Sequence, residues 1–296
     1  MKYAFFPGCV SKGACPELYQ SVMNVYPKLG IELEEMTTAS CTGAGVLQEK
    51  DQRLGDTLNA RTFALAERKG LPIMTICSTC QGVMSQANQR LTRDATYLAE
   101  VNHVLKEEGL TYRGTTHIRH FVWILLEDVG EEELRKHIKK PLTGLRAAPF
   151  YGCYLQRPSE ALGFEQNPDR PEALERVIEI LGAEVVDFPG KSRCCGFPIL
   201  TINEPNSLTM VATHTNDAKA YGADIMVTPC PLCHLNLDGM QTKAAQQHNT
   251  SIDLPILHLP QLLGLAMGIG PRAIGLSRNL VSADAAMGKI GIRTSA

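Results

Sequence analysis

Short apolar runs alternate with longer amphipathic stretches along this chain, and the alternation occurs twice. Residues 3–6 (YAFF) are apolar over the length of a strand, and so are residues 147–151 (AAPFY). Behind each lies a stretch of helical period, residues 17–29 in one case and 171–181 in the other. In the second, Leu174, Val177, Ile178 and Leu181 fall on one helical face. Gly30 and Gly182 follow, where a helix C-terminal glycine belongs. Second strands are predicted at 31–33 and 184–188, and second helices at 56–69 and 207–221, each ending near a glycine, Gly70 or Gly222. Third strands at 73–76 and 224–227 complete the two sets. Strand–helix–strand–helix–strand predicts parallel pairing with right-handed crossovers. The expected fold class is therefore α/β: two similar halves related by duplication, each a small parallel sheet flanked by helices.

Two segments break the symmetry. Residues 91–140 are charged, and helices are expected over 92–109 and 120–139. After residue 265 the chain is rich in Gly, Ala and Met, which predicts partial order or order supplied by a partner. The expected division is a first cysteine-rich domain with a helical connector at 1–140, a second cysteine-rich domain at 145–264, and a C-terminal tail at 265–296.

The repeat carries cysteines. Cys41, Cys77 and Cys80 recur 153 positions later as Cys194, Cys230 and Cys233, and Cys9 in FFPGC recurs 144 positions later as Cys153 in PFYGC. Every cysteine motif follows a predicted strand. Loops at the carboxyl ends of parallel strands share one edge of a sheet, so motifs far apart in sequence can converge there.

The rest of the composition narrows the classes. The 296 residues are 44% hydrophobic and 20% charged, as in a soluble globular protein, and a net charge of −2 offers no basic footprint for nucleic acid. No apolar run reaches the ~18–20 residues of a membrane span. The start lacks the long apolar region of a secretory signal, so a cytoplasmic protein is expected. Ten cysteines in a reducing compartment call for metal or redox chemistry rather than disulfides.

The second half offers five thiols, Cys153, Cys194, Cys195, Cys230 and Cys233. That exceeds the four of a tetrahedral zinc or an ordinary cubane, and points to a polynuclear core with more than the usual thiolate count. The first half offers four, Cys9, Cys41, Cys77 and Cys80, because Thr42 stands where Cys195 does. Four suit a [4Fe–4S] cubane, with a Cys₄ zinc site as the alternative. Cys15 is expected to be spare. A pair of redox dithiols is the other reading of the two CxxC motifs, but each closes its half instead of opening the chain. Cys194 and Cys195 are the candidate catalytic residues. His234, which follows Cys233, is the candidate proton donor to a leaving thiolate, ahead of His214 and His258. Lys191 and Arg193 flank Cys194 and could attract an anionic substrate.

The pattern Cys153, Cys194-Cys195-Gly196, Cys230-x-x-Cys233 resembles the cysteine-rich CCG domain. Two such domains, opening with FFPGC and closing with LPQLLGLAMG, resemble the B-type subunits of heterodisulfide reductase and their relatives. The resemblance implies a noncubane [4Fe–4S] cluster on the five cysteines of the second half. It implies a second cluster on Cys9, Cys41, Cys77 and Cys80, where Thr42 favours a cubane. It implies disulfide/thiol redox chemistry in a complex with an iron–sulfur subunit of the C type and a flavin subunit of the A type. The loss of the fifth ligand favours the branch found in sulfur oxidisers, with a lipoate-bearing sulfur carrier as a partner. The other expectations are an electron-relay subunit of a lactate or glycolate oxidase-type complex, and a zinc-stabilised assembly module.

Overall fold

The computed structural model describes residues 1–294 and shows two four-stranded parallel sheets. The first holds β1 (Lys2–Phe6), β2 (Glu32–Glu35), β3 (Ile73–Thr75) and β4 (Ile118–His120) in the order β2-β1-β3-β4. The second holds β5 (Arg146–Pro149), β6 (Glu184–Val185), β7 (Ile225–Thr228) and β8 (Ile256–His258) in the order β6-β5-β7-β8. The orders are the same, as duplication requires. In register, Ala4 pairs with Ile73 in the first sheet and Ala147 with Ile225 in the second. The central strands β3 and β7 are buried along their whole length, as parallel strands covered by helices are.

The fourth strand of each sheet is a finding beyond the expected three. β4 and β8 have three residues each and end in a histidine, His120 or His258, that opens the next helix. Residues 120–139 are accordingly not the continuous helix expected from their charge pattern. They fold as Phe121–Ile124, a π-helical turn Leu125–Val129 and a short helix Glu131–Lys136. The connector helices are Ser78–Arg93 and Ala95–Leu105, separated at Asp94, whose side chain caps the second. Strands this short carry too few alternations to show a period.

The helices join the halves reciprocally. Helix Leu259–Ala266, after the last strand of the second sheet, packs on helix Pro16–Val25, after the first strand of the first sheet. Phe121–Ile124, after the last strand of the first sheet, packs on Ala173–Ile180, after the first strand of the second. Leu18, Val22, Val25, Leu262, Leu263, Leu174 and Val177 thus lie in one continuous core. Each such side chain is worth about 1.5–3 kcal/mol when fully buried. The contact is close enough to exclude a side chain at Gly264, where a Cβ would lie 2.6 Å from Ile274 and 3.3 Å from Val25.

The C-terminal segment is ordered on the protein itself. Ile274, Leu276, Ala286 and Met287 are buried in that core, and Asp238 accepts from the N–H groups of Leu280 and Val281. Expectation from Gly, Ala and Met content failed because small residues and Met pack readily against an existing surface.

Candidate metal centre

The cysteine loops leave the carboxyl ends of the first three strands of each sheet, and their sulfurs meet there. In the second half Cys153 follows β5, Cys194 and Cys195 follow β6, and Cys230 and Cys233 follow β7. The Cys194 sulfur lies beside those of Cys153 and Cys195 and accepts from the Gly196 N–H at 3.4 Å, and these neighbours hold its thiol well below the ordinary pKa. Cys195 in turn contacts Cys233, and Cys233 contacts Cys230. All five line a single cavity of about 490 Å³. Cys230 stands at the N-terminal end of helix Pro231–Gly239, where the helix dipole favours a thiolate.

The first half repeats the arrangement with four. Cys9 lies beside Cys41 and Cys80. Cys77 caps helix Ser78–Arg93 and accepts from the Cys80 N–H at 3.4 Å. Cys9 and Cys41 are exposed and line a smaller cavity of about 210 Å³.

Glycines before the first cysteine permit this closeness. Gly8 and Gly152 both have positive φ, +75° and +70°. A Cβ on Gly152 would stand 2.7 Å from the Cys233 sulfur, and one on Gly8 3.4 Å from that of Cys80. The same motif therefore brings the chain against the last cysteine in both halves.

Thr42 occupies the place of the fifth thiol. It is buried, and its hydroxyl reaches the Cys80 sulfur at 3.9 Å. A buried amide holds the carbonyl of this position in each half: Asn59 donates to Thr42 at 3.0 Å, Asn236 to Cys195 at 2.7 Å. The backbone is thus prepared alike, and only the donor atom differs.

The two sets touch. Cys77 contacts Cys230 across the halves, and this neighbour, with Cys80 and burial, pushes the Cys77 thiol up. Thr79 reaches the Cys230 sulfur at 3.6 Å, and the Ser78 hydroxyl donates to Pro229. One turn further along the same face of the helix, Gly82 has no room for a Cβ, which would lie 2.6 Å from the Tyr154 ring and carbonyl. Nothing in the sequence marked Gly82 or the Cys77–Cys230 contact, because both exist only between halves.

Other candidates lie elsewhere. His214 donates from Nε2 to the Cys194 carbonyl at 2.9 Å and so positions that loop. His234 is turned away from the cavity; its Nε2–H donates to the Ile256 carbonyl at 3.0 Å, and its ring stacks on His258 at 3.9 Å. Lys191 is paired with Asp187 and Glu175, and Arg193 lines a neighbouring cavity of about 520 Å³ with Cys194 and His214. Cys15 is buried, with its sulfur on the Pro231 carbonyl at 3.5 Å. Among the described residues no helix is long and apolar enough to cross a membrane.

Comparison with known proteins places the chain. The cysteine-rich domain family CCG matches residues 3–85 and again 147–238. The chain is 39% identical over 282 residues to the 8-methylmenaquinol:fumarate reductase membrane anchor subunit of Wolinella succinogenes, covering 95% of this chain and 98% of that one. It is 32% identical over 283 residues to the B-type subunit of the ferredoxin/F420H2-dependent CoB-CoM heterodisulfide reductase of Methanosarcina acetivorans, covering 95% and 94%. A protein of Archaeoglobus profundus, similar to the same heterodisulfide reductase component, is 32% identical over 278 residues, with 93% of each chain covered. A hypothetical protein from Helicobacter pylori shares the fold, with a TM-score of 0.76 at 17% identity over 95% of this chain and 52% of its own. With the CCG domain matched twice, and with these relatives spanning almost its whole length, the chain belongs to the family of heterodisulfide reductase B-type subunits, built from two copies of the cysteine-rich domain.

Proposed function

We propose that this chain is the iron–sulfur subunit of a heterodisulfide reductase-like redox complex, with its substrate chemistry in the second half and electron relay in the first. The observation that carries the reading is the convergence of Cys153, Cys194, Cys195, Cys230 and Cys233 on one cavity. The donor set fits an iron–sulfur core. All five atoms are soft sulfurs, one more than zinc takes, and adjacent Cys194 and Cys195 serve it together. These five residues would hold a noncubane [4Fe–4S] cluster, and Cys9, Cys41, Cys77 and Cys80 a cubane. When bound, such clusters supply one-electron chemistry at sulfur.

The protein's own residues do the remaining work. Tyr154, Phe197 and Leu232 line the large cavity and exclude water from one side of the thiols. His214 holds Cys194 through its carbonyl, and Asn236 holds Cys195 in the same way. The substrate class is a thiol or disulfide, whose cleavage consumes two electrons and two protons per S–S bond. A disulfide on a lipoate-bearing carrier is one such substrate. Exposed Cys9 and Cys41 put the first set at the surface, where a flavin-bearing or iron–sulfur partner can exchange electrons, and the Cys77–Cys230 contact gives the short path between sets.

The identity to the Wolinella subunit favours a second reading, electron relay in a quinol:fumarate reductase-type complex without a sulfur substrate. One experiment separates the two. Anaerobically purified protein is titrated with thiols and disulfides while its paramagnetic signals are followed. The first reading expects a signal that changes on addition and is absent in Cys195→Ala. A signal indifferent to every thiol leaves the relay reading. Zinc without iron at both sets would sink both.

A further inference from the structure

Behind the second cysteine set, on the side away from the cavity, lies a buried group of four side chains from both halves. Cys15 and Glu17 stand at the start of helix Pro16–Val25, His234 one residue past Cys233, and His258 at the end of β8. One potential ligand atom from each lies within 4.8 Å of all the others, and all four residues are buried. We propose that these four residues form a separate zinc site that clips the two halves together behind the iron–sulfur centre.

Charge is the first argument. Glu17 is 4% exposed, and among the described residues its only ion-pair partners are histidines, His258 Nε2 at 3.2 Å and His234 Nδ1 at 3.9 Å. No Lys or Arg is paired with it among the described residues. A buried carboxylate without a fixed cation is costly. A divalent ion with one thiolate, one carboxylate and two neutral imidazoles makes an electroneutral group, which a dry interior accepts.

Ligand orientation is the second. The Nε2–H of His234 is committed to the Ile256 carbonyl, so the lone pair of Nδ1 points at Glu17. A backbone carbonyl holding the far N–H is the usual support of a zinc-bound histidine. In the first half the same backbone duty falls to Gln81, whose amide donates to the Ile118 carbonyl at 3.2 Å. An amide suffices for that bond, so the histidine in the second half adds something that Gln81 does not: a nitrogen donor facing inward. His258 presents Nε2 to the same carboxylate, and its Nδ1 faces the Gln261 N–H at the start of the helix. Cys15 supplies a sulfur within 4.8 Å of the ligand atoms of Glu17, His234 and His258.

Geometry is the third. Zinc–nitrogen and zinc–sulfur bonds of about 2.0–2.3 Å put tetrahedral ligand atoms roughly 3.5 Å apart, so even the widest pair here closes by little more than about 1 Å. Cys15 and Glu17 are joined to His234 and His258 only through more than two hundred intervening residues, so the ion would tie the first half to the second.

The site is tested by metal analysis of the full chain, purified anaerobically with its iron retained. The expected result is about one zinc per chain beside the iron, and a loss of about tenfold or more in zinc affinity in Cys15→Ser and His258→Gln with the iron content unchanged. Replacement by Co²⁺ in the wild-type chain gives a reading that needs no variant. A thiolate-to-cobalt charge-transfer band with tetrahedral d–d bands is expected, and the charge-transfer band disappears in Cys15→Ser. Absence of zinc from protein made in zinc-replete medium, with no cobalt spectrum, would overturn the proposal. So would zinc that is lost in Cys9→Ala or Cys41→Ala and kept in Cys15→Ser. These outcomes leave the iron–sulfur reading to its own thiol titration.

Discussion

The two cysteine sites share a backbone and differ in one donor atom. Glycine with positive φ precedes the first cysteine in both, a CxxC opens a helix in both, and a buried asparagine holds the central carbonyl in both. The second site adds Cys195 and opens on a cavity of about 490 Å³, and the first has Thr42 and exposes Cys9 and Cys41 beside one of about 210 Å³. Duplication thus supplied two similar frames, and they differ in one side chain and in access to solvent, the difference on which the proposed division of labour rests. A catalytic centre needs room for a substrate and shelter from water. A relay centre needs a surface and a neighbour.

The largest test removes the distinguishing atom. Cys195→Ala is expected to abolish the second-half signal and lower iron by about half, with the first-half signal retained. Cys41→Ala should do the opposite. Iron analysis with paramagnetic resonance reads both. If each variant lost both clusters alike, the two sites would not be independent.

Next comes the glycine pair. Ala at either position meets the positive-φ cost of about 1–2 kcal/mol. Gly152→Ala also drives a Cβ to 2.7 Å from the Cys233 sulfur, where Gly8→Ala leaves 3.4 Å to Cys80. Gly152→Ala should lose its cluster on purification, and Gly8→Ala should keep its own at reduced stability. Visible absorption after reconstitution checks the order.

Converting the first site is the sharper experiment. Thr42→Cys restores five thiols on a carbonyl already held by Asn59. Its first-half signal is expected to take on the character of the second, and an unchanged signal would mean that more than the fifth thiol separates the sites.

The smallest effect is expected from the asparagines. Asn236→Ala and Asn59→Ala each leave a buried carbonyl unpaired, at about 1–3 kcal/mol in denaturant unfolding. The two losses should be alike, because each amide also donates a second bond, Asn236 to the Ser207 hydroxyl at 3.2 Å and Asn59 to the Gly55 carbonyl at 2.8 Å.

Much of this was legible beforehand. The repeat of cysteines at a constant offset exposed the duplication, and the glycines after each helix marked its end: Gly30, Gly70, Gly182 and Gly222 all have positive φ. The substitution at Thr42 was visible as a letter. The three-residue strands β4 and β8 were not, because no period can be read from three positions. The turn of His234 away from the cavity was not legible either, since adjacency to Cys233 says nothing about which way a helical side chain faces.

Local pattern therefore determined the α/β class, the two halves and the cysteine inventory, since helix period, strand length and motif spacing are written in neighbouring residues. Only the tertiary structure decided that Cys77 meets Cys230, that Gly82 must admit Tyr154, and that Cys15 and Glu17 face His234 and His258. Those contacts join residues more than seventy positions apart, and they follow from how two folded halves pack, a choice made by the summed burial of both apolar surfaces rather than by any one segment.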